Sequence, residues 1–212
     1  MLTHSYDSAK SEPEWREWIE QGGKFGILAV GANQAGKAPI LVPTHFTLTG
    51  HEIVFHLHKI NDALEALETA TEVSFSVYGD YAYVPGPWRA KPGGDAAEGV
   101  PTSYYSAVTF VCKPTLINAP EGVAQIIKEQ MRDVQPEGGT AVVDPDLTPF
   151  GPMLGVVTGV RLQILQVTAT FKYDDHKPQE HRLRVIDLLL ERNQGVDSGA
   201  AAQQKRRLQA KG

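Results

Sequence analysis

The chain has 212 residues, 42% of them hydrophobic and 21% charged, with a net charge of -5. That is enough chain to bury one domain's core without cross-links, and it is the composition of neither a disordered nor a fibrous protein. The acidic balance excludes an extended nucleic-acid-binding face, which needs clustered cations, and leaves room only for a local basic patch. Cys112 is the one cysteine, which excludes an intrachain disulfide and a cysteine metal cage. Apolar runs break well short of the roughly 18 residues of a membrane span, and residues 1–20 carry charged side chains in place of an apolar signal core. A cytoplasmic location with no membrane partner is therefore expected.

Ser11-Glu12-Pro13-Glu14 reads as a helix start, with a serine cap, a proline in the first turn and a glutamate placed for a capping box. Trp15, Trp18 and Ile19 follow at i, i+3 and i+4, an apolar stripe that ends at Gly22-Gly23 and predicts a helix packed as a lid. Residues 24–30 read as a first strand, 31–36 as a loose turn and 39–48 as a second strand. A Thr49-Gly50 turn leads to a third strand over 52–57, where Ile53, Phe55 and Leu57 alternate against Val54, His56 and His58. Asn61 is placed to cap a short helix through Ala63, Leu64, Leu67 and Ala70. Strand patterns resume over 73–78 and 81–84.

Residues 85–100 are rich in Pro, Gly and Ala and are expected as a long functional loop. A strand over 103–116 follows, with Cys112 packed as an inert small hydrophobe. Asn118-Ala119-Pro120-Glu121 starts a helix whose Val123, Ile126, Ile127 and Met131 keep helical spacing. Residues 133–156 are acidic and interrupted by Pro and Gly, so a loop with one helical turn is expected. The last strand is 157–172. Pro178 then opens a helix through Leu183, Ile186, Leu189 and Leu190 that Asn193-Gln194-Gly195 stops. Residues 196–212 read as a flexible basic tail, whose Lys205-Arg206-Arg207 run is the one candidate DNA-contacting segment. About six strands with turn signals and no strand-helix alternation predict a mainly β, α+β fold, an antiparallel barrel with flanking helices in one domain over 1–195.

No G-x-S-x-G elbow, P-loop or dinucleotide fingerprint occurs, because Gly22-Gly23-Lys24-Phe25-Gly26 leads into a strand. His45, His51, His56 and His58 cluster in sequence, but without a second well-spaced ligand pair they read as hydrogen-bonding or core histidines, with no metal expected. His56, His58, Lys59 and Asn61 sit where a strand ends and a helix begins. Cationic side chains, an amide and free helix N–H groups could converge there on a phosphate. A capped helix beside a solvated lysine is the other reading of the same residues.

Pro43-Thr44-His45-Phe46, the Thr49-Gly50 turn, Phe55-His56 and Lys59-Ile60-Asn61-Asp62 resemble, in order, the motifs of the FMN-binding split-barrel superfamily that includes pyridoxamine 5'-phosphate oxidase. Within it the chain is similar to the PaiB-like group of FMN-binding negative transcriptional regulators. Phe55-His56-Leu57-His58-Lys59-Ile60-Asn61 resembles that group's G-H-L-A-R-A-N. Ala82-Tyr83-Val84-Pro85-Gly86-Pro87-Trp88 and Val100-Pro101-Thr102-Ser103-Tyr104-Tyr105 resemble its A-Y-I-S-P-S-W and V-P-T-W-N-Y. Lys172-Tyr173-Asp174-Asp175-His176-Lys177-Pro178 resembles its K-x-S-Q-N-K-P. The chain departs from the group where Asp174-Asp175-His176 replaces S-Q-N, where Ser103-Tyr104 replaces W-N, and in lacking an M-Y-x-P start.

The resemblance implies a six-stranded split barrel binding FMN, as a homodimer with the cofactor at the interface. Val42, Pro43 and Thr44 are then expected along the isoalloxazine edge through backbone amides. Phe55 and His56 of the F-H step, with Lys59 and Asn61, are expected at the phosphate and ribityl chain. Thr102 and Tyr104 are expected to approach from the partner, with Lys172 near the ring. No residue is singled out as catalytic. The functions implied are a flavin-dependent oxidoreductase or a redox-responsive regulator. The alternatives are a DNA-binding repressor without catalysis and a binder of another planar cofactor, a deazaflavin or haem.

Overall fold

A computed structural model describes residues 3–22, 24–32, 36–91 and 93–210. The turn expected over 31–36 rests partly on Asn33, Gln34 and Ala35, which lie outside the described residues, as do Gly23 of the expected helix stop, Pro92 of the expected loop and the last two residues of the expected tail. The chain is compact in two units: Met1–Gly22, Tyr78–Val108 and Thr168–Gly212 form the first, and Gly23–Val77 and Thr109–Val167 the second.

The second unit is built on strands. β1 (Phe25–Val30), β2 (Ile40–His45), β3 (Thr47–Thr49) and β4 (Glu52–His58) lie wholly within it, while β5 (Val73–Val84), β6 (Thr102–Ile117) and β7 (Val157–Lys172) run on into the first unit. The seven-stranded sheet has the order β2-β1-β5-β6-β7-β4-β3. β1 pairs antiparallel with β2 and β5, and β4 pairs antiparallel with β3 and β7. The two ends of that order, β2 and β3, are separated in the chain by Phe46 alone, so the sheet returns on itself at this fully buried residue.

Among the described residues there are seven strands where about six are expected, and two strand boundaries differ from expectation through backbone events. Residues 39–48 are not one strand but β2 and β3, broken where the Phe46 side chain turns inward. The two patterns over 73–78 and 81–84 are the single strand β5, which passes through Asp80 at φ 54, a left-handed conformation that aspartate tolerates better than most residues. In the same unit, α2 (Ala63–Thr69) follows β4, and α4 (Pro120–Val134) and the short α5 (Phe150–Leu154) flank the sheet. Val123 and Ala124 of α4 pack with Val143, Leu154 and Val157, and the half-buried Ile127, Met131 and Phe150 close that cluster. The expected helical turn within 133–156 is α5.

The first unit collects α1 (Glu12–Gly22), α3 (Gly86–Arg89), a 3-10 turn at Ala96–Glu98, α6 (Gln179–Arg192) and α7 (Asp197–Gln209). Trp15, Trp18 and Ile19 are buried, as their spacing predicts, and Trp18 meets Phe171 edge-on while donating Nε1–H to Asp80 at 2.7 Å. Residues 85–100 are not structureless. The chain at Gly99 lies so close to the Gly86 carbonyl that no Cβ would fit there, and Arg89 donates to the Val100 carbonyl at 2.7 Å.

The largest departure from expectation is residues 197–209, which form a packed helix and not a flexible tail. Arg207 is 1% exposed; it donates to Asp175 at 2.9 Å and to Glu14 at 2.7 Å, and to the Tyr6 and Ser8 carbonyls. Arg182, also fully buried, donates to the other Asp175 oxygen at 2.6 Å. Ala200 and Ala201 supply the small residues that let α7 pack closely on α6. A segment rich in Ala, Gln and Arg carries little apolar signal, so its burial through paired charge and small side chains does not show in a hydrophobic pattern. Breaking a buried pair leaves an uncompensated charge. Arg207→Ala will therefore lower the unfolding free energy by about 3–5 kcal/mol, while exposed Lys205→Ala will stay within about 0.5 kcal/mol. Chemical denaturation checks both, and similar small losses would mean α7 is not anchored in this way.

Candidate functional site

The register of β2 against β1 decides which of its groups are available. Phe46 donates its N–H to the Lys24 carbonyl at 3.1 Å, so 24/46 is a hydrogen-bonded pair, and the unbroken register makes Gly26/Thr44 and Leu28/Val42 the next such pairs. Val42 and Thr44 thus point their backbone groups toward β1 and bury their side chains. Leu41, Pro43 and His45 do the reverse. Among the described residues β2 ends the strand order with no second neighbouring strand, so the outward groups are the N–H of Leu41 and of His45 and the carbonyls of Leu41 and Pro43. The amides of Val42, Pro43 and Thr44, expected along a ligand edge, are not free in this register. Pro43 has no N–H, and the other two are committed to the ladder.

On the outward face, Phe25 stands opposite His45, Ile27 opposite Pro43 and Ala29 opposite Leu41, a surface on which Phe25 and Leu41 are 61% and 63% exposed. The His45 ring meets the His56 ring edge-on with centroids 5.3 Å apart, and His56 Nδ1 is 2.7 Å from Gln130 Oε1. Desolvation, and then the neighbouring His56, hold the His45 pKa below its ordinary 6.5. His45 is therefore neutral at pH 7, able both to donate and to accept through its ring. Phe55 is fully buried between β3 and β7, with its ring beside Phe75, and belongs to the core. Its side chain is not placed as a ligand contact.

Beyond β4 the chain turns into α2. Asn61 Oδ1 accepts the Ala63 N–H at 3.0 Å and the Asn61 carbonyl accepts the Leu64 N–H at 3.0 Å, so the expected cap forms and uses two of the helix's first amides. The amides thought free for a phosphate are in that measure taken. His58 Nδ1 accepts the Ile60 N–H at 3.3 Å, which ties that histidine to its own turn. Lys59 and Asn61 line a cleft of about 440 Å³ together with Asn118, Thr158, Asp62, Glu65 and Glu68. Lys59 has no ion-pair partner among the described residues, although three carboxylates share its cleft.

A family model described as "Putative FMN-binding domain" matches residues 1–166. The chain belongs to this family. Solved structures share its fold at low identity. The flavocytochrome Anf3 from Azotobacter vinelandii has a TM-score of 0.64 at 12% identity, covering 86% of this chain and 78% of its own. The FAD and heme binding protein from Mycobacterium smegmatis has a TM-score of 0.62 at 13% identity, covering 84% and 78%. A conserved hypothetical protein from Mycobacterium tuberculosis has a TM-score of 0.56 at 15% identity, covering 84% and 95%. No curated protein matches the chain.

For a member of an FMN-binding family the test is whether a donor set for a flavin phosphate is present. An unpaired ammonium on Lys59 and the remaining amide donors of Asn61 and Asn118 fit an anionic group, with the Thr158 hydroxyl donating to Asn118 Oδ1 at 3.0 Å and so orienting that amide, and the cleft volume is in the range of small-molecule sites. The three carboxylates in the same lining disfavour an anion close to them, so a phosphate is favoured only where Lys59 is nearer than they are. Asn118, Thr158, Leu41 and His45 were not singled out as contacts from sequence. His45 and Leu41 could have been found by counting strand parity back from Phe46; Asn118 and Thr158 reach the cleft from β6 and β7, which no local pattern reveals.

The remaining candidates lie in the first unit, and Lys172 falls beyond the matched residues. Thr102 begins β6, half-buried. Tyr104 is fully buried: its hydroxyl donates to Asp174 at 3.1 Å and accepts from Gln204 at 3.1 Å, so the side chain is part of the ionic core and is not offered to a partner. Arg89 grips the same Asp174 carboxylate with two bonds at 3.1 Å. Asp174 and Asp175, which replace the family's S-Q, are thus the anchors for Arg89, Arg182 and Arg207. Lys172 holds its ammonium 5.8 Å from the Tyr105 ring centroid. Burial pushes the nearby Asp7 carboxyl up to about 6 against the opposing pull of Lys172.

A lowered histidine pKa contributes stability that is present above the unfolded value of 6.5 and is lost as pH falls below it. An NMR titration will give His45 a midpoint below 6.5 that rises in the His56→Gln variant. A midpoint at or above 6.5 in the parent protein would contradict the packing described.

Proposed function

We propose that the protein is an FMN-binding split-barrel flavoprotein that works as a homodimer, either as a flavin-dependent oxidoreductase or as a redox-responsive regulator. The observation that carries this reading is the unpaired Lys59 ammonium beside the side-chain amides of Asn61 and Asn118, inside the span matched by an FMN-binding family. Lys59, Asn61 and Asn118 would hold the phosphate end, with Thr158 orienting the Asn118 amide. The outward N–H groups of Leu41 and His45 and the carbonyls of Leu41 and Pro43 supply donors and acceptors for the polar edge of a flavin ring, and the apolar surface of Phe25 and Ile27 offers a partner for its face. Bound FMN supplies hydride or electron transfer, with the protein contributing orientation and local electrostatics. Neutral His45 is the group on that face able to accept a hydrogen bond or a proton.

The homodimer is supported by the same exposed apolar face, since a large uncovered patch on a soluble chain is the usual mark of an interface. A second cofactor reading, another planar group in the same place, draws on similar folds whose members bind FAD and haem. Direct DNA binding rested on Lys205-Arg206-Arg207. Arg207 is buried, and Arg206 lies 3.3 Å from Glu14 and over the Phe171 ring, which leaves Lys205 as the segment's exposed cation. Among the described residues no helix is long and apolar enough to cross a membrane.

The test is a fluorescence titration with FMN after gentle purification. Saturable binding is expected, with Lys59→Ala weakening it roughly tenfold or more, the worth of one charge-assisted bond to phosphate. Colourless protein that does not titrate with FMN, or a Lys59→Ala variant that binds equally well, would overturn the assignment; a haem-type spectrum would select the second reading.

A further inference from the structure

A second cleft in the second unit, about 690 Å³ in volume, lies along the last two turns of α4 and is lined by Gln125, Lys128, Met131, Arg132, Thr140 and Val143 among others. It shares no lining residue with the cleft at Lys59. Its floor is firm, because Met131 and Val143 belong to the apolar cluster under α4. Its rim is cationic. Lys128 and Arg132 are four residues apart on one helix face, an arrangement in which like charges repel and cost helix stability.

Among the described residues, no ion pair or hydrogen bond neutralises them. The chain has nine arginines. Eight of them hold a hydrogen bond or ion pair, and Arg132 holds none among the described residues. Of the three carboxylates on α4, Glu129 is committed to Arg161 at 3.0 Å and Asp133 to Lys24 at 2.9 Å, and Glu121 lies two turns before Lys128 and does not line the cleft. Among the described residues no Asp or Glu lines the cleft. In a chain of net charge -5 this is an acid-free cationic pocket. A cation in the last turn of a helix is favoured by the helix dipole, which accounts for Arg132 bearing charge but not for two neighbouring cations above a concave apolar floor.

We infer that this cleft binds a small organic anion, a phosphate or carboxylate held by Lys128 and Arg132 on an apolar body that rests against Met131 and Val143. Arg132 presents the planar fork that pairs with either oxyanion, and Lys128 adds a point charge beside it. Gln125 and Thr140 are in place to bond polar substituents at the rim. The site is independent of the FMN assignment.

The test is a titration of the isotope-labelled full chain, followed by amide NMR shifts, with phenyl phosphate and benzoate as probes and benzyl alcohol and inorganic phosphate as controls. Saturable shifts confined to α4 and residues 135–143 are expected for at least one of the two probes, with a Kd at or below about 1 mM. The stronger of the two identifies the oxyanion. Lys128→Gln combined with Arg132→Gln should weaken binding roughly tenfold or more, while Lys59→Ala should leave it unchanged. Both replaced side chains are exposed, so the double variant is expected to fold, and its unshifted amides elsewhere would show that it does. The inference is overturned if neither probe saturates, if the double variant binds as well as the parent, if benzyl alcohol binds equally tightly, or if inorganic phosphate matches phenyl phosphate. Loss of FMN binding with this titration intact would remove the Lys59 assignment alone.

Discussion

One hydrogen bond, from the Phe46 amide to the Lys24 carbonyl, sets the parity of β2 and with it the chemistry of the candidate site. Side chains and backbone groups alternate along a strand, so a shift of one residue would exchange every inward group for an outward one. With the observed register, Val42 and Thr44 complete the ladder and the core. Leu41, Pro43 and His45 become an unpaired edge beside an apolar face. Phe46 also fixes where the strand breaks. Its buried side chain marks the point at which β2 leaves β1 and β3 takes up β4, and His45, just before the break, comes against His56 of β4. Strand closure, histidine pairing and the exposed edge are consequences of one local geometry.

The first unit is held by a different kind of interaction. Arg182 and Arg207 are buried on Asp175 and Glu14, and Arg89 with the Tyr104 hydroxyl on Asp174, so three guanidinium groups meet three carboxylates with little exposure to water. Such charges are costly to desolvate and stabilise only as a completed set. This gives α7 a role quite unlike that of a tail, since it delivers Gln204 and Arg207 to a network whose other members come from residues 14, 89, 104, 174, 175 and 182. Asp174 itself has φ 54, and its carboxylate meets Arg89, Tyr104 and His181, which together over-determine that backbone conformation.

Much of this was legible in the residues. The alternation of Ile53, Phe55 and Leu57, the Trp15, Trp18 and Ile19 stripe and the Asn61 cap all reappear as the elements they predict, and the ordered motifs agree with the family match. Parity was the weak point. The stretch Leu41-Val42-Pro43-Thr44 alternates in the structure, but a run of mixed apolar and small polar residues does not announce which half faces inward until its ladder partner is known. Tyr104 and α7 were misread for a related reason. Burial driven by paired charge looks, in sequence, like solvated surface, and Asp175 and Arg207 identify each other only once the chain has folded. The Lys59 cleft was half visible, because Lys59 and Asn61 are local to one turn while Asn118 and Thr158 arrive from β6 and β7.

The parity of β2 is what the functional proposal depends on most, and residue-resolved amide hydrogen exchange reads it directly. Without FMN, the amides of Val42 and Thr44 should be protected and those of Leu41 and His45 should exchange quickly. On saturation with FMN, Leu41 and His45 should become protected while Val42 and Thr44 change little. Fast exchange at Val42 and Thr44 in the free protein would contradict the register. Unchanged exchange at both Leu41 and His45 on saturation would contradict the placement of the flavin edge.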